Sequence, residues 1–150
     1  MTRQPAITRT AATLWILMAL FCLRVLGQVL VEILGVRFLP PSKEWASGLI
    51  PYPWLLASQV AIIGLQAKIG LDFTRQSGWA YRPRRRAGVV LLILGTFYLA
   101  AMIVRYVVRM SLYPDERWTG GSIPIVFHWV LATYVLLVGY HHWQHGQSGR

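Results

Sequence analysis

Three polar residues interrupt the first apolar block of the chain at regular intervals: Arg24, Gln28 and Glu32, spaced i, i+4 and i+8. On a helix that spacing sets all three on one slowly rotating face, where each side chain reaches the next. The third apolar block repeats the pattern with Tyr98, Arg105 and Arg109 at i, i+7 and i+11. The second block carries Gln59, and the fourth carries His128. An ionisable group in hydrocarbon costs several kcal/mol, so each of these residues requires either a partner or a task.

Counting about 1.5 Å of rise per residue from the block ends brings the eight residues toward one layer, in the half away from the central basic loop. Two chemistries suit such a layer. In the first, Glu32 neutralises Arg105 or Arg24, and the glutamines tie helices together by hydrogen bonds. In the second, Arg24, Arg105 and Arg109 outnumber the single Glu32, leaving a positive surplus in a partly dehydrated pocket. That surplus suits an anionic or carbonyl-bearing ligand such as a lipid headgroup, a carboxylate or a quinone oxygen. Arg109, nearest the end of its block, can extend to the headgroup region in either case.

The C-terminal end reads His141-His142-Trp143-Gln144-His145. Its i, i+3 and i+4 spacings can bring two imidazoles to one metal, but no Cys, Asp or Glu is near to complete a shell. Histidines at a helix C-terminus are also favoured by the helix dipole, so His141, His142 and His145 are weak metal candidates and no metal is expected. His128 and His142 stand fourteen residues apart on one face, a spacing similar to that of stacked haem ligands within one helix of cytochrome b. Each such haem needs a second axial ligand, which only a second copy or a partner subunit can supply. No HExxH, G-x-S-x-G, Walker A or GxGxxG pattern is present, and the single cysteine, Cys22, lies within an apolar block, so nothing points to catalysis.

The elements that must position these residues follow from hydropathy. The chain of 150 residues is 55% hydrophobic, with a mean hydropathy of +0.47. Its apolar residues gather into four blocks near the ~20 residues a helix needs to cross a bilayer. The expected spans are 11–36, 49–69, 87–112 and 122–143, with a basic loop over 70–86. The first ends at Arg37 and the Pro40-Pro41 pair, and Pro51 and Pro53 fall in the first turn of the second, where a missing amide matters least. Ala57, Ala61 and Gly64 form a small-residue stripe on the second span, which suits a neighbouring helix.

The formal charge of +10 gathers beside the spans, so topology and anionic lipid explain it better than nucleic acid does. Arg9, Lys68, Arg75, Arg82, Arg84, Arg85 and Arg86 all fall on one side, which becomes the cytoplasmic side by the positive-inside rule. Within that set, Arg82, Arg84, Arg85 and Arg86 are the expected contacts with anionic lipid.

The expected fold is therefore an all-α integral membrane protein, a single four-transmembrane-helix bundle with both termini in the cytoplasm, in a plasma membrane of bacterial type. The expected function is a non-catalytic accessory subunit or a lipid- or small-molecule-binding module. Its ligand site would draw on Arg24, Gln28, Glu32, Gln59, Tyr98, Arg105, Arg109 and His128, with Trp45, Asp115, Glu116 and Trp118 on an external rim. Partners would be membrane lipids and either a second copy of the chain or a larger membrane complex, with no nucleic acid. A redox subunit binding quinone or haem is the alternative, and a small transporter a further one, although the inner halves of the spans are apolar apart from Gln66 and Lys68.

Overall fold

The structure, a computed structural model, describes residues 7–41, 45, 50–114 and 122–146. Arg3, Lys43, Glu44, Asp115, Glu116, Arg117, Trp118 and Arg150 lie outside the described residues. Four α-helices make up the fold, and no strand occurs among the described residues: α1 (Ile7–Glu32), α2 (Tyr52–Thr74), α3 (Arg85–Leu112) and α4 (Ser122–His145). The shortest, α2, has 23 residues. At about 1.5 Å per residue it is roughly 35 Å long, more than the ~30 Å of a hydrocarbon core. All four helices are long and apolar enough to cross a membrane.

Several helix ends differ from the sequence expectation: α1 begins at Ile7, four residues before the expected start, and the C-terminal ends of α1 and α2 both move. The first helix stops at Glu32 instead of running to Val36. Gly35 adopts a φ of +60°, a conformation glycine enters without steric cost, and the Val36 amide turns back to the Leu30 carbonyl at 3.3 Å. The chain therefore leaves the helix before it reaches the proline pair. The second helix continues past Ile69 to Thr74. The i, i+4 ion pair of Lys68 with Asp72 supports the extra turn, and the Thr74 hydroxyl donates to the Gly70 carbonyl at 2.8 Å.

Asp72 also shapes the basic loop that follows. Its carboxylate accepts the Ala80 amide at 3.2 Å and sits against Gly78, whose φ of +97° excludes a side chain there in any case. The loop is thereby folded back onto the end of α2, and Ala80 is buried beneath it.

The helices pack in the lateral order α2, α1, α4, α3, and α2 and α3 do not approach each other. The tightest pair is α3 with α4, and glycines make it so. A Cβ on Gly88 would lie 2.8 Å from the Trp143 Cα and 2.9 Å from the Gly139 carbonyl oxygen, while one on Gly139 would lie 3.0 Å from the Leu91 Cβ. Backbone meets backbone at this crossing, as in small-residue helix pairs. Between α1 and α2 the indole of Trp15 covers Gly70 and donates to the Thr74 hydroxyl at 3.0 Å. The buried cluster of Ala11, Leu14, Phe73, Tyr134 and Val138 joins α1, α2 and α4 near the basic loop.

Elsewhere the helices turn apolar side chains outward, among them Ile93, Leu94, Phe97 and Val104 of α3 and Leu23 and Leu26 of α1. A helix apolar on its outer as well as its inner face calls for apolar surroundings. Helix packing at the glycine crossing has a direct consequence. Gly88→Ala forces a methyl against backbone that cannot move aside, and is expected to lower stability by about 1–3 kcal/mol, read as the thermal unfolding midpoint in mild detergent. Gly64→Ala is the control, because nothing lies within 4 Å of a Cβ there; it should be neutral or raise stability by up to about 1 kcal/mol.

Candidate functional site

The polar face of α1 is held together by one acceptor. Gln28 Oε1 receives Arg24 Nη1 at 2.9 Å and, from the neighbouring helix, Gln59 Nε2, also at 2.9 Å. The second Arg24 amino group, Nη2, donates to the main-chain carbonyl of Trp45 at 2.8 Å. Arg24 is buried, and Gln28 is fully so. A guanidinium withdrawn from water needs such charge-assisted bonds, which are stronger than those between neutral groups.

Trp45 was not foreseen as part of this assembly. Its ring is buried over α1 above Gly27, where a Cβ would come within 2.8 Å of the ring Cζ3, and its Nε1 donates to the Pro40 carbonyl at 2.8 Å. The expectation that Trp45 belongs to an external rim is therefore corrected: the loop after α1 turns inward, and the indole fills the space left by the missing side chain of Gly27. Gly27, the only glycine of α1 and adjacent to Gln28, was the available signal.

Beside this network lies a cavity of about 200 Å³ to which all four helices contribute. Its polar lining consists of Arg24 from α1, Ser58 and Gln59 from α2, Tyr98 and Arg105 from α3, and His128 from α4, and no carboxylate is among the described lining residues. Tyr98 and His128 are joined by a hydrogen bond between the phenol oxygen and Nδ1, with their rings edge to face at 5.7 Å. His128 Nε2 makes no hydrogen bond among the described residues, nor does the Arg105 guanidinium. Gln59 Oε1 is likewise buried without a partner, on a residue only 3% exposed. Phe21, Leu55, Ile62, Phe127 and Leu131 supply apolar walls.

Of the eight expected ligand residues, the structure places Arg24, Gln59, Tyr98, Arg105 and His128 on this cavity and Gln28 directly behind it. Glu32 and Arg109 are not on it; each has interactions elsewhere, and the Arg109 guanidinium lies 5.8 Å from the centroid of the Tyr113 ring. Arg24 is occupied by Gln28 and Trp45, and α4 stands between α1 and α3.

The basic arginines and the C-terminal histidines lie at the opposite end of the helices. Arg82, Arg84, Arg85 and Arg86 are all exposed, and Arg84 also borders a separate groove between α2 and α3. His141 donates through Nε2 to the Tyr81 carbonyl at 2.9 Å and packs against Phe73, Tyr81 and the His145 ring at 4.6–4.9 Å between centroids. His145 Nδ1 donates to the His141 carbonyl at 3.0 Å. These rings form a packed aromatic cluster, and among the described residues no three His, Cys, Asp or Glu side chains gather to hold a metal ion.

His128 lies in the far-end cavity and His142 in the basic-end groove. The cavity of about 200 Å³ is smaller than the roughly 300–1,000 Å³ of usual cofactor clefts. No model of a known protein family matches the chain, and no similar curated protein or solved structure is found.

The shared acceptor makes Gln28 the pivot of this site. Gln28→Leu leaves the buried Arg24 guanidinium short of a partner, an expected loss of about 1.5–3 kcal/mol in detergent melting. The double variant Arg24→Met with Gln28→Leu should recover much of that loss, because an apolar pair of similar volume replaces a broken polar one.

Proposed function

We propose that the chain spans a bilayer, with the basic loop and both termini on the cytoplasmic side, and acts as a non-catalytic accessory subunit or binding module. Its far-end cavity holds an anionic group of headgroup size. The observation that carries this reading is a cavity with two guanidinium groups, Arg24 and Arg105, and no carboxylate among its described lining residues. Arg24 is buried and Arg105 is exposed, and their combined positive charge beside partly apolar walls is complemented by a phosphate or carboxylate.

The division of labour follows from the contacts. Arg24 is fixed by Gln28 and Trp45 and offers a rigid positive wall. Arg105, on the facing side, has no internal hydrogen bond among the described residues and is available to close on a ligand. His128, with Nδ1 engaged by the Tyr98 hydroxyl, can donate from Nε2 to a bound oxygen, and Gln59 Oε1, an acceptor, can receive only from a hydroxyl of the ligand. The outward position of Ala57, Ala61 and Gly64 on α2 supports contact with a second copy or another membrane subunit. A plasma membrane of bacterial type is the proposed location.

A second reading rests on the Tyr98–His128 pair, whose hydrogen-bonding groups could also polarise a quinone oxygen. Organic extraction of the purified protein separates the two, since a stoichiometric quinone with its ultraviolet signature would replace the anion reading.

The anion reading is tested with dodecyl phosphate titrated into the detergent-solubilised protein by calorimetry. Arg105→Gln, which breaks no internal bond among the described residues, should weaken binding at least tenfold without lowering the melting temperature. Tenfold is about 1.4 kcal/mol, near the low end for a hydrogen bond to a charged group. Undiminished binding by that variant would overturn the assignment of the cavity.

A further inference from the structure

The separation of α2 from α3 opens a second space at the other end of the molecule. This groove, about 390 Å³, has Leu65 and Ile69 of α2 on one side, Val90 and Leu91 of α3 on the other, and Val135 and Val138 of α4 as its floor. Its size lies within the roughly 300–1,000 Å³ range of ligand clefts. Nearly every lining group is apolar, and the Tyr134 hydroxyl, which could have added polarity, is committed to the Gln66 carbonyl at 2.8 Å.

Besides the indole N–H of the exposed Trp79, two polar groups remain, both toward the basic loop. Arg84, the residue preceding α3, borders the groove, and its guanidinium makes no hydrogen bond among the described residues. His142 lines the same groove, is only 4% exposed, and has a buried Nδ1 without a hydrogen-bond partner. No side chain caps the N-terminus of α3, so its first-turn amides add positive potential close to Arg84. A buried unpartnered nitrogen is costly in a helical protein unless something polar reaches it.

We propose that this groove is a specific site for one anionic phospholipid of the leaflet that meets the basic loop. The acyl chain lies between α2 and α3 on the floor of α4. The phosphate meets Arg84, and a polar atom of the headgroup or glycerol backbone satisfies His142 Nδ1. Charge and polarity are complementary along the groove: apolar where the leaflet is hydrocarbon, cationic where it carries phosphate. From Arg84 to Leu91 the site extends along seven residues of α3, about 10 Å, within the ~15 Å depth of a single leaflet. The site rests on the proposal that the chain spans a bilayer, and it is independent of the far-end cavity.

The site differs from diffuse attraction by a basic loop in singling out one arginine of the run. The full chain is placed in nanodiscs of phosphatidylcholine containing a minor fraction of phosphatidylglycerol, and lipids retained after release are counted by native mass spectrometry. The parent protein should retain one phosphatidylglycerol. Arg84→Gln should lower that retention at least tenfold, and Val90→Trp, which fills the groove from an exposed position, should do the same. His142→Phe should lower it in the same direction. Arg85→Gln and Arg86→Gln should leave it intact.

Equal losses in the Arg84, Arg85 and Arg86 variants would reduce the effect to surface charge and overturn the proposal. So would retention unaffected by Val90→Trp, retention of phosphatidylcholine in equal amount, or no retained lipid in the parent.

Discussion

A buried guanidinium sets the conditions for the far end of this protein. Arg24 sits within a helix whose neighbouring residues are apolar, so its solvation must come from protein atoms, and two partners provide it: Gln28 Oε1 and the Trp45 carbonyl. The first ties α1 to α2, because the same oxygen also accepts from Gln59. The second requires the loop after α1 to fold back toward the helix. That return is possible only because α1 ends at Glu32 through the turn at Gly35 and leaves room at Gly27 for the Trp45 ring. Cap, loop course and helix contact thus follow from one charge needing bonds inside an apolar structure.

How much of this was legible beforehand depends on the kind of information each residue carries. Arg24, Gln28, Gln59, Tyr98, Arg105 and His128 could be brought toward one layer from depth and helical phase alone, since rise per residue is fixed along a helix. Lateral order is not encoded in that way. Glu32 and Arg105 have similar depth, yet their helices make no direct contact, because α1 and α3 each pack on α4. Trp45 was hidden for another reason: a loop has no periodicity, and nothing in its spacing fixes which way an indole turns. Asp72 was read as a loop acid because hydropathy falls after Ile69, whereas its pairing with Lys68 keeps the backbone helical and turns it into the fastening of the basic loop.

The gap between α2 and α3 has its own physical origin. The glycines at 88 and 139 allow α3 and α4 to approach backbone to backbone, so α3 spends its small-residue face on one neighbour. On the other side, α2 is fastened to α1 by Trp15 over Gly70 and by the Gln28–Gln59 bond. Two tight pairs, joined through α1 and α4, leave their outer members apart. The aligned bulky residues of α2 and α3 then form walls and do not interlock, and the space between them survives at both ends of the molecule.

Those two spaces differ because of what the helices carry at each level. On α2 the lining passes from Ser58 and Gln59 to Leu65 and Ile69, and on α3 from Arg105 and Tyr98 to Leu91 and Val90. The polar atoms of the far end form a small chamber, while the basic end is an apolar trough with cationic groups only at its margin. A chamber of the first kind favours a compact anion that replaces water around several donors. A trough of the second kind favours an amphiphile, whose hydrocarbon contributes by burial and whose phosphate supplies the counter-charge. One packing defect, lined differently along its length, therefore leaves a polar space at one end of the helices and an apolar one at the other.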